Sequence, residues 1–381
     1  MECNDAVEHA GAEMTIRRRI QGVGVAVAAL VSSLVPLQAA SASQAPVQLG
    51  INTYVTYSNC AKPDATAGLV AQATTQMAQF RSLGANAVAL AFPIYVDSIS
   101  ANAVVAGCAA SPPAAYVQQS PSPTQLAAII DVAHADGLAV RLRPLIDETN
   151  LHTPTPPNVW RGLLRPTDRT AWFHSYRDTI LPYAQMAQAH GVEHFTVASE
   201  LDSLSSDPLW WRLIARVKQV FTRDVTYTAN WGTPLGQIPK PGTTFGLDAY
   251  LGLNPTTTGI GDTSTPKALY QAWLATEPVS PVPLRDTVID EVGISASNGA
   301  YRAPYTWSFP TSAFNPTIQA NWFSMVCKVV KNQKMAGVYF WGPWLYLRNG
   351  AMLTSTDPAY GQDIQPASQA VLRRCFGAMA S

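Results

Sequence analysis

Two short runs in this chain end on a glutamate: Phe195-Thr-Val-Ala-Ser-Glu200 and Thr287-Val-Ile-Asp-Glu291. A strand buried on both faces reads as a continuous β-branched and apolar run. A carboxylate at the end of such a run has no neighbour on its own strand to pair with, and burying it is costly unless chemistry needs it. Two strands ending this way suggest a pair of carboxyl groups facing one cleft, the arrangement that hydrolyses bonds between sugars. The competing reading makes each glutamate an ordinary solvated strand-end residue, so the rest of the chain has to decide.

From Gln48 onward, short apolar runs alternate with amphipathic stretches through eight rounds. The strands are expected at residues 49–54, 87–92, 138–145, 195–200, 225–230, 244–250, 287–293 and 337–341. Between them, Ser122-Pro123, Asp207-Pro208, Thr265-Pro266 and Asn315-Pro316 place a capping side chain just before a proline, the signature of a helix start. Trp172, Tyr176, Ile180 and Tyr183 recur at helical spacing. Trp210, Trp211 and Trp322 also sit on helices and are expected in the core. The loops after strands two, three, six and seven are long. Regular strand–helix alternation forces a parallel sheet, and eight rounds close it: the fold class is α/β, a single (β/α)8 TIM barrel. Catalytic groups of such barrels sit at the carboxyl ends of the strands, which is where Glu200 (strand four) and Glu291 (strand seven) fall.

Of the 381 residues only 13% are charged, and Lys+Arg and Asp+Glu balance at 25 each. No basic patch points to nucleic acid. Arg17-Arg18-Arg19, an apolar run from Ile20 to Leu37, and Ala40-Ser41-Ala42 form the pattern of a secretory signal. Residues 1–42 are therefore expected to be upstream sequence and signal peptide, with Met14 as a candidate start, and residues 43–381 the mature catalytic domain. Gln21, Ser32, Ser33 and Pro36 make the apolar run a poor permanent span, so no stable membrane span is expected after cleavage. Gly22-Val-Gly24 follows no strand and is discounted as a nucleotide loop. Cleavage removes Cys3 and leaves Cys60, Cys108, Cys327 and Cys375, an even number that favours disulfides in an exported chain. Of the three possible pairings, Cys60–Cys108 and Cys327–Cys375 each join segments that the barrel makes neighbours. The histidines are scattered without ligand spacing, and Gly293-Ile-Ser-Ala-Ser297 lacks the closing glycine of a serine-hydrolase elbow. Neither a metal nor a cofactor is expected.

Several short motifs recur in a meaningful order: Trp160-Arg-Gly162, Trp172-Phe-His-Ser-Tyr176, Tyr183-Ala184, Ala198-Ser-Glu-Leu201, Ala229-Asn-Trp231, Leu247-Asp-Ala-Tyr250, Asp290-Glu-Val-Gly293 and Tyr339-Phe-Trp341. In this the chain resembles the clan A glycoside hydrolases, in particular the endo-β-mannanases of glycoside hydrolase family 113 and their relatives. The resemblance implies a retaining glycoside hydrolase acting on a β-linked polysaccharide or oligosaccharide, β-mannan-like; the leader pattern makes it secreted or periplasmic, and a monomer is expected. Glu291 would be the nucleophile and Glu200 the general acid/base, and retention requires their carboxyl groups about 5–5.5 Å apart.

The other expected site residues follow by position. Trp341 resembles the platform under the sugar at the cleavage point, against the alternative of a core tryptophan. Tyr250 is placed to bond the nucleophile, unless it is a rim tyrosine facing solvent. Asn230 and Trp231 end strand five as subsite residues, and Tyr54 ends strand one. Arg143 is expected either to position Glu200 or Glu291 or to neutralise nearby Asp147. Trp160, Arg161, Tyr301, Tyr305 and Trp307 lie in the loops after strands three and seven, whose aromatic density suits gripping a polymer. Ser199 departs from the family pattern, which has an asparagine bonding the sugar 2-hydroxyl at that position. That departure keeps open a non-hydrolytic barrel that binds an exported polysaccharide.

Overall fold

The computed structural model describes residues 46–56, 65–107, 119–148, 151, 159–233, 238–276, 284–306, 309–345 and 363–380. The chain divides into two units, residues 1–44 and 45–381, and the structure below is that of the second. The expected leader, Cys60, Cys108 and Trp307 lie outside the described residues.

Eight parallel strands close a barrel in sequence order: β1 (Gln48–Val55), β2 (Ala87–Ile94), β3 (Ala139–Ile146), β4 (His194–Ser199), β5 (Asp224–Asn230), β6 (Phe245–Asp248), β7 (Thr287–Val292) and β8 (Gly337–Leu345). Pairing of Gln48 with Gly337 and of Gly50 with Tyr339 joins the last strand to the first. The helices are α1 (Ala65–Ser82), α2 (Pro123–Ala135), α3 (Arg169–Ala189), α4 (Leu209–Lys218), α5 (Pro255–Thr258), α6 (Pro266–Thr276), α7 (Pro316–Asn332) and α8 (Pro366–Ala380). The expected (β/α)8 barrel is the observed fold.

The local chemistry explains the frame. Ser122 and Gln125 form a reciprocal capping box at the start of α2, and Asn315 caps α7 ahead of Pro316. The short α5 was not expected, although its Asn254-Pro255 start carries the same signal. β6 is shorter than the sequence suggests, leaving Tyr250 two residues past its end. One core expectation is corrected: Trp211 is 55% exposed. Trp210, Leu213, Ile214 and Val217 take the barrel-facing side of α4, and the residue after Trp210 is turned about 100° away from it.

The apolar core lies between sheet and helices, anchored by the fully buried Trp172, Trp210, Trp273 and Trp322. Cys327 in α7 and Cys375 in α8 are disulfide-bonded, as expected, and span 48 residues of chain. Replacing both by serine is expected to lower unfolding free energy by roughly 2–4 kcal/mol, read from urea midpoints.

Inside the barrel the filling is polar. Barrels of this kind are usually packed with branched aliphatic side chains, whereas here Asn52, Arg141, Arg143, Thr226, Thr228, Asp248 and Asp290 are all fully buried. Strand register shifts between Thr196 and Ser199, between Leu247 and Asp248, and between Ile289 and Val292. Such irregularities re-aim side chains near functional sites, and these three lie where β4, β6 and β7 approach the acidic residues.

Candidate active site

Arg141 and Arg143 alternate on β3, so both point to one side, which here is the barrel interior. The lower one, Arg141, donates to Thr226 Oγ1 at 2.9 Å and to Gln48 Oε1 at 2.9 Å, and faces Asp290 Oδ1 at 3.4 Å. Asp290 also accepts from Thr228 Oγ1 at 2.5 Å. There is room for this carboxylate because position 246 is glycine: a Cβ there would fall 2.2 Å from Asp290 Oδ2. Adjacent Asp290 and Glu291 both reach interior partners, which the irregular register of β7 permits where regular alternation would not.

One layer up, Arg143 gathers the candidate site. Its Nη2 forks onto Asp248 at 2.9 and 2.8 Å and donates to Ser199 Oγ at 3.2 Å. Its Nη1 donates to the Asp290 carbonyl at 2.7 Å and stands 3.4 Å from Glu291 Oε2. Asn52 donates to the same carbonyl at 2.9 Å, so the peptide leading into Glu291 is held from two sides. Burial alone would loosen the proton on Arg143, but Asp248 and Glu291 reverse that and hold its charge firmly. Of the alternatives open for Arg143, the structure gives Glu291. The pairing with Asp147 is corrected, because Asp147 instead accepts from Tyr54 at 2.5 Å.

Glu291 is buried and accepts from Tyr250 Oη at 2.6 Å. Burial raises its affinity for a proton, while Arg143, the Tyr250 hydroxyl and Arg161 oppose that. Tyr250, itself pushed well above its ordinary range by burial and by the Glu291 charge, stays a donor. Glu200 follows β4 with a positive φ of 55°, a backbone state that a non-glycine residue holds only under strain of about 1–3 kcal/mol. Its carboxyl lies 3.6 Å from Arg161 Nε, and that nitrogen donates to Glu148 at 3.0 Å. Burial pushes Glu200 up to about 7 against the pull of Arg161, with Glu291 and Glu148 adding to the rise. The two glutamates therefore feel each other's charge yet have different partners: among the described residues Glu291 has a fixed cation and a hydroxyl donor, and Glu200 the longer contact to Arg161.

The aromatic floor is Trp341, buried on β8, with the Tyr54 ring tilted 42° against it at 6.0 Å. Gly293 leaves the space, since a Cβ there would lie 2.9 Å from Trp341 Cβ. Trp160 opens the short turn (Arg161–Leu163) that carries Arg161 to the rim. Asn230 does not join this group but bonds Asp202 at 3.4 Å in the turn after Glu200. Trp231, expected as a subsite residue, packs instead on the buried Trp273 of α6, with ring centroids 5.0 Å apart. Tyr301 is likewise a core residue against Trp322, while Tyr305 is 60% exposed. Asp248, Glu148, Asn52 and Asp290 were not singled out as site residues from sequence. An acid inside an apolar strand run, Phe-Gly-Leu-Asp248, was the available signal for the first of them.

Residues 56–237 match the model of Glycoside Hydrolase Family 113, a stretch that includes Glu200 and stops short of Glu291. No curated protein matches. Among solved structures, the chain is similar to the GH113 β-mannanase AaManA from Alicyclobacillus acidocaldarius, at 21% identity and TM-score 0.63, over 87% of this chain and 97% of that one. It is similar at 16% identity and TM-score 0.64 to a GH113 β-1,4-mannanase, covering 87% and 99% of the two chains. A GH5_18 protein from Streptomyces cattleya matches at 13% identity and TM-score 0.53, covering 88% and 80%. Likeness at these identities shows the barrel fold, and over residues 56–237 the chain is similar to Glycoside Hydrolase Family 113.

Proposed function

We propose that the chain is a retaining hydrolase of a β-linked, mannan-like polysaccharide or oligosaccharide, with Glu291 as nucleophile and Glu200 as general acid/base. The observation that carries this is the unequal environment of two mutually interacting carboxyl groups. Burial raises the Glu291 pKa, but Arg143 and the Tyr250 hydroxyl both work against that rise and favour the anion. Glu200, raised to about 7, is able to hold a proton at neutral pH. Glu291 attacks the anomeric carbon while Glu200 protonates the departing oxygen. Glu200, now a base, then activates the water that releases the sugar. Trp341 offers a flat face to the apolar side of the sugar ring. The test is the anomer of the first product on a β-mannan panel, read by NMR: the retained anomer supports the reading, the inverted anomer or no turnover on any β-glycan overturns it.

Arg161 supplies a second check. Its charge lowers the Glu200 pKa, so Arg161→Met is expected to move the alkaline limb of the kcat/KM profile to higher pH. An unmoved limb would separate that limb from Glu200. Action outside the cytoplasm is part of the proposal, supported by the leader-like Arg17 to Ala42 stretch and by the Cys327–Cys375 bond.

A further inference from the structure

Beyond the end of β3, Arg161 stands between two carboxyl groups. Its Nε donates to Glu148 Oε1 at 3.0 Å and faces Glu200 Oε2 at 3.6 Å. The Arg161 backbone N–H donates to the same Glu148 oxygen at 3.3 Å, so Glu148 holds the residue by main chain and side chain together. The turn beneath is tightly packed, since a Cβ at Gly162 would fall 2.3 Å from the Trp160 ring. The far end of the guanidinium is not saturated: Arg161 Nη1 is buried and has no hydrogen-bond partner among the described residues. A buried donor left unmade is costly and calls for an explanation. The charged groups facing Glu200 are Arg161 and Glu148 beyond β3, Arg143 on β3 and Glu291 on β7, with Asp248 on β6 and the Tyr250 hydroxyl also within its field. Among them Arg161 opposes the rise that burial gives Glu200, and Glu148 adds to it. Burial works against the Arg161 charge, and Glu148, then Glu200, hold it.

We infer that Glu148 is a positioning residue for the acid/base: it draws Arg161 off Glu200 while Glu200 carries its proton, and yields the cation when that proton leaves. This rests on the reading of Glu200 given above. In the first half of the reaction the Glu200 proton goes to the glycosidic oxygen as the bond to the departing sugar breaks, and Glu291 bonds the anomeric carbon. Glu200 is then an anion, and Arg161 closes the 3.6 Å gap, with Nη1 ready as the second donor of a fork. In the second half water gives a proton to Glu200 and its oxygen to the anomeric carbon, Glu291 leaves as a carboxylate, and the cation returns to Glu148. Glu148 suits this exchange because its side chain is 26% exposed against 15% for Glu200, so water solvates it when the cation moves away.

The test is the alkaline limb of the kcat/KM profile, measured throughout on one phenyl β-mannobioside, in Glu148→Gln, Glu148→Asp, Arg161→Met and Glu148→Gln/Arg161→Met. The limb marks loss of the Glu200 proton, so whatever lowers the Glu200 pKa moves it to lower pH. Glu148→Gln is expected to move it down by about 1 pH unit, because it removes a negative charge and frees Arg161 to close on Glu200. Glu148→Asp keeps the charge but withdraws it from Nε, and is expected to move the limb down by less. With Arg161→Met already in place, the glutamine substitution is expected to move the limb far less than in the parent, because no cation remains to be released. Equal movement in the two backgrounds would overturn the proposal, leaving Glu148 to act by its own charge alone. A limb that Glu148→Gln leaves in place or moves upward would also overturn it. Glu200→Gln separates this from the underlying reading, since its residual turnover is expected to be flat across the limb. A limb that persists there would overturn both, whereas a limb lost there but unmoved in Glu148→Gln would overturn the role of Glu148 alone.

Discussion

Glu291→Ala is expected to abolish turnover of β-glycans, by more than the roughly 10²–10⁴-fold that a general acid supplies. The two carboxylates beside it are otherwise engaged: Asp248 is held by Arg143, and Asp290 by Thr228 below. Glu200→Ala is expected to cost within that range on a natural leaving group and much less on an activated aryl glycoside, which departs without a proton. Added azide separates the two roles. In Glu291→Ala it substitutes for the missing nucleophile in a single displacement and gives the inverted glycosyl azide. In Glu200→Ala it intercepts the covalent intermediate and gives the retained one. Exchange of these two outcomes between the variants would reverse the assignments.

Arg143→Met carries the second large effect, and it falls on stability as well as activity. Arg143 is fully buried and serves Asp248, Glu291, Ser199 and the Asp290 carbonyl together. Removing one partner of a buried ion pair leaves the other charge uncompensated, at a cost of roughly 3–5 kcal/mol. The urea midpoint is expected to fall accordingly, and activity with it. The double variant Arg143→Met/Asp248→Leu replaces the pair by apolar groups and is expected to recover much of the stability. It is not expected to recover activity, because Glu291 still lacks its cation. Arg143→Lys keeps the charge but loses the second nitrogen that serves the Asp290 carbonyl and Glu291, and is expected to lie between. Recovery of activity in the double variant would show that Arg143 matters for packing alone.

The sequence disclosed the barrel because parallel strands covered on both faces read as unbroken apolar runs, and because Ser-Pro and Asn-Pro pairs mark helix starts independently of them. The same logic exposed Glu200 and Glu291, each the acid that ends such a run. What surrounds them was harder to read. The Arg143–Asp248 fork joins residues 105 apart on β3 and β6, which are not neighbouring strands, so it exists only once the barrel has closed. Asp290 faces inward in step with Val288, whereas the inward reach of adjacent Glu291 depends on a register irregularity that strict alternation of faces would not supply. Trp231, one residue past the end of β5, packs on Trp273 of α6, a contact between residues 42 apart that strand pattern does not reveal. Ser199, whose hydroxyl accepts from Arg143, is drawn into the same cluster that holds Glu291.

The most direct measurement is to trap the enzyme with a 2-deoxy-2-fluoro mannoside carrying an activated leaving group, digest it, and locate the added sugar by mass spectrometry. The label is expected on the peptide containing Glu291, with Glu200→Gln still labelled and Glu291→Gln not. A label on Glu200 or Glu148, or an unlabelled enzyme that releases the inverted sugar, would contradict attack by Glu291.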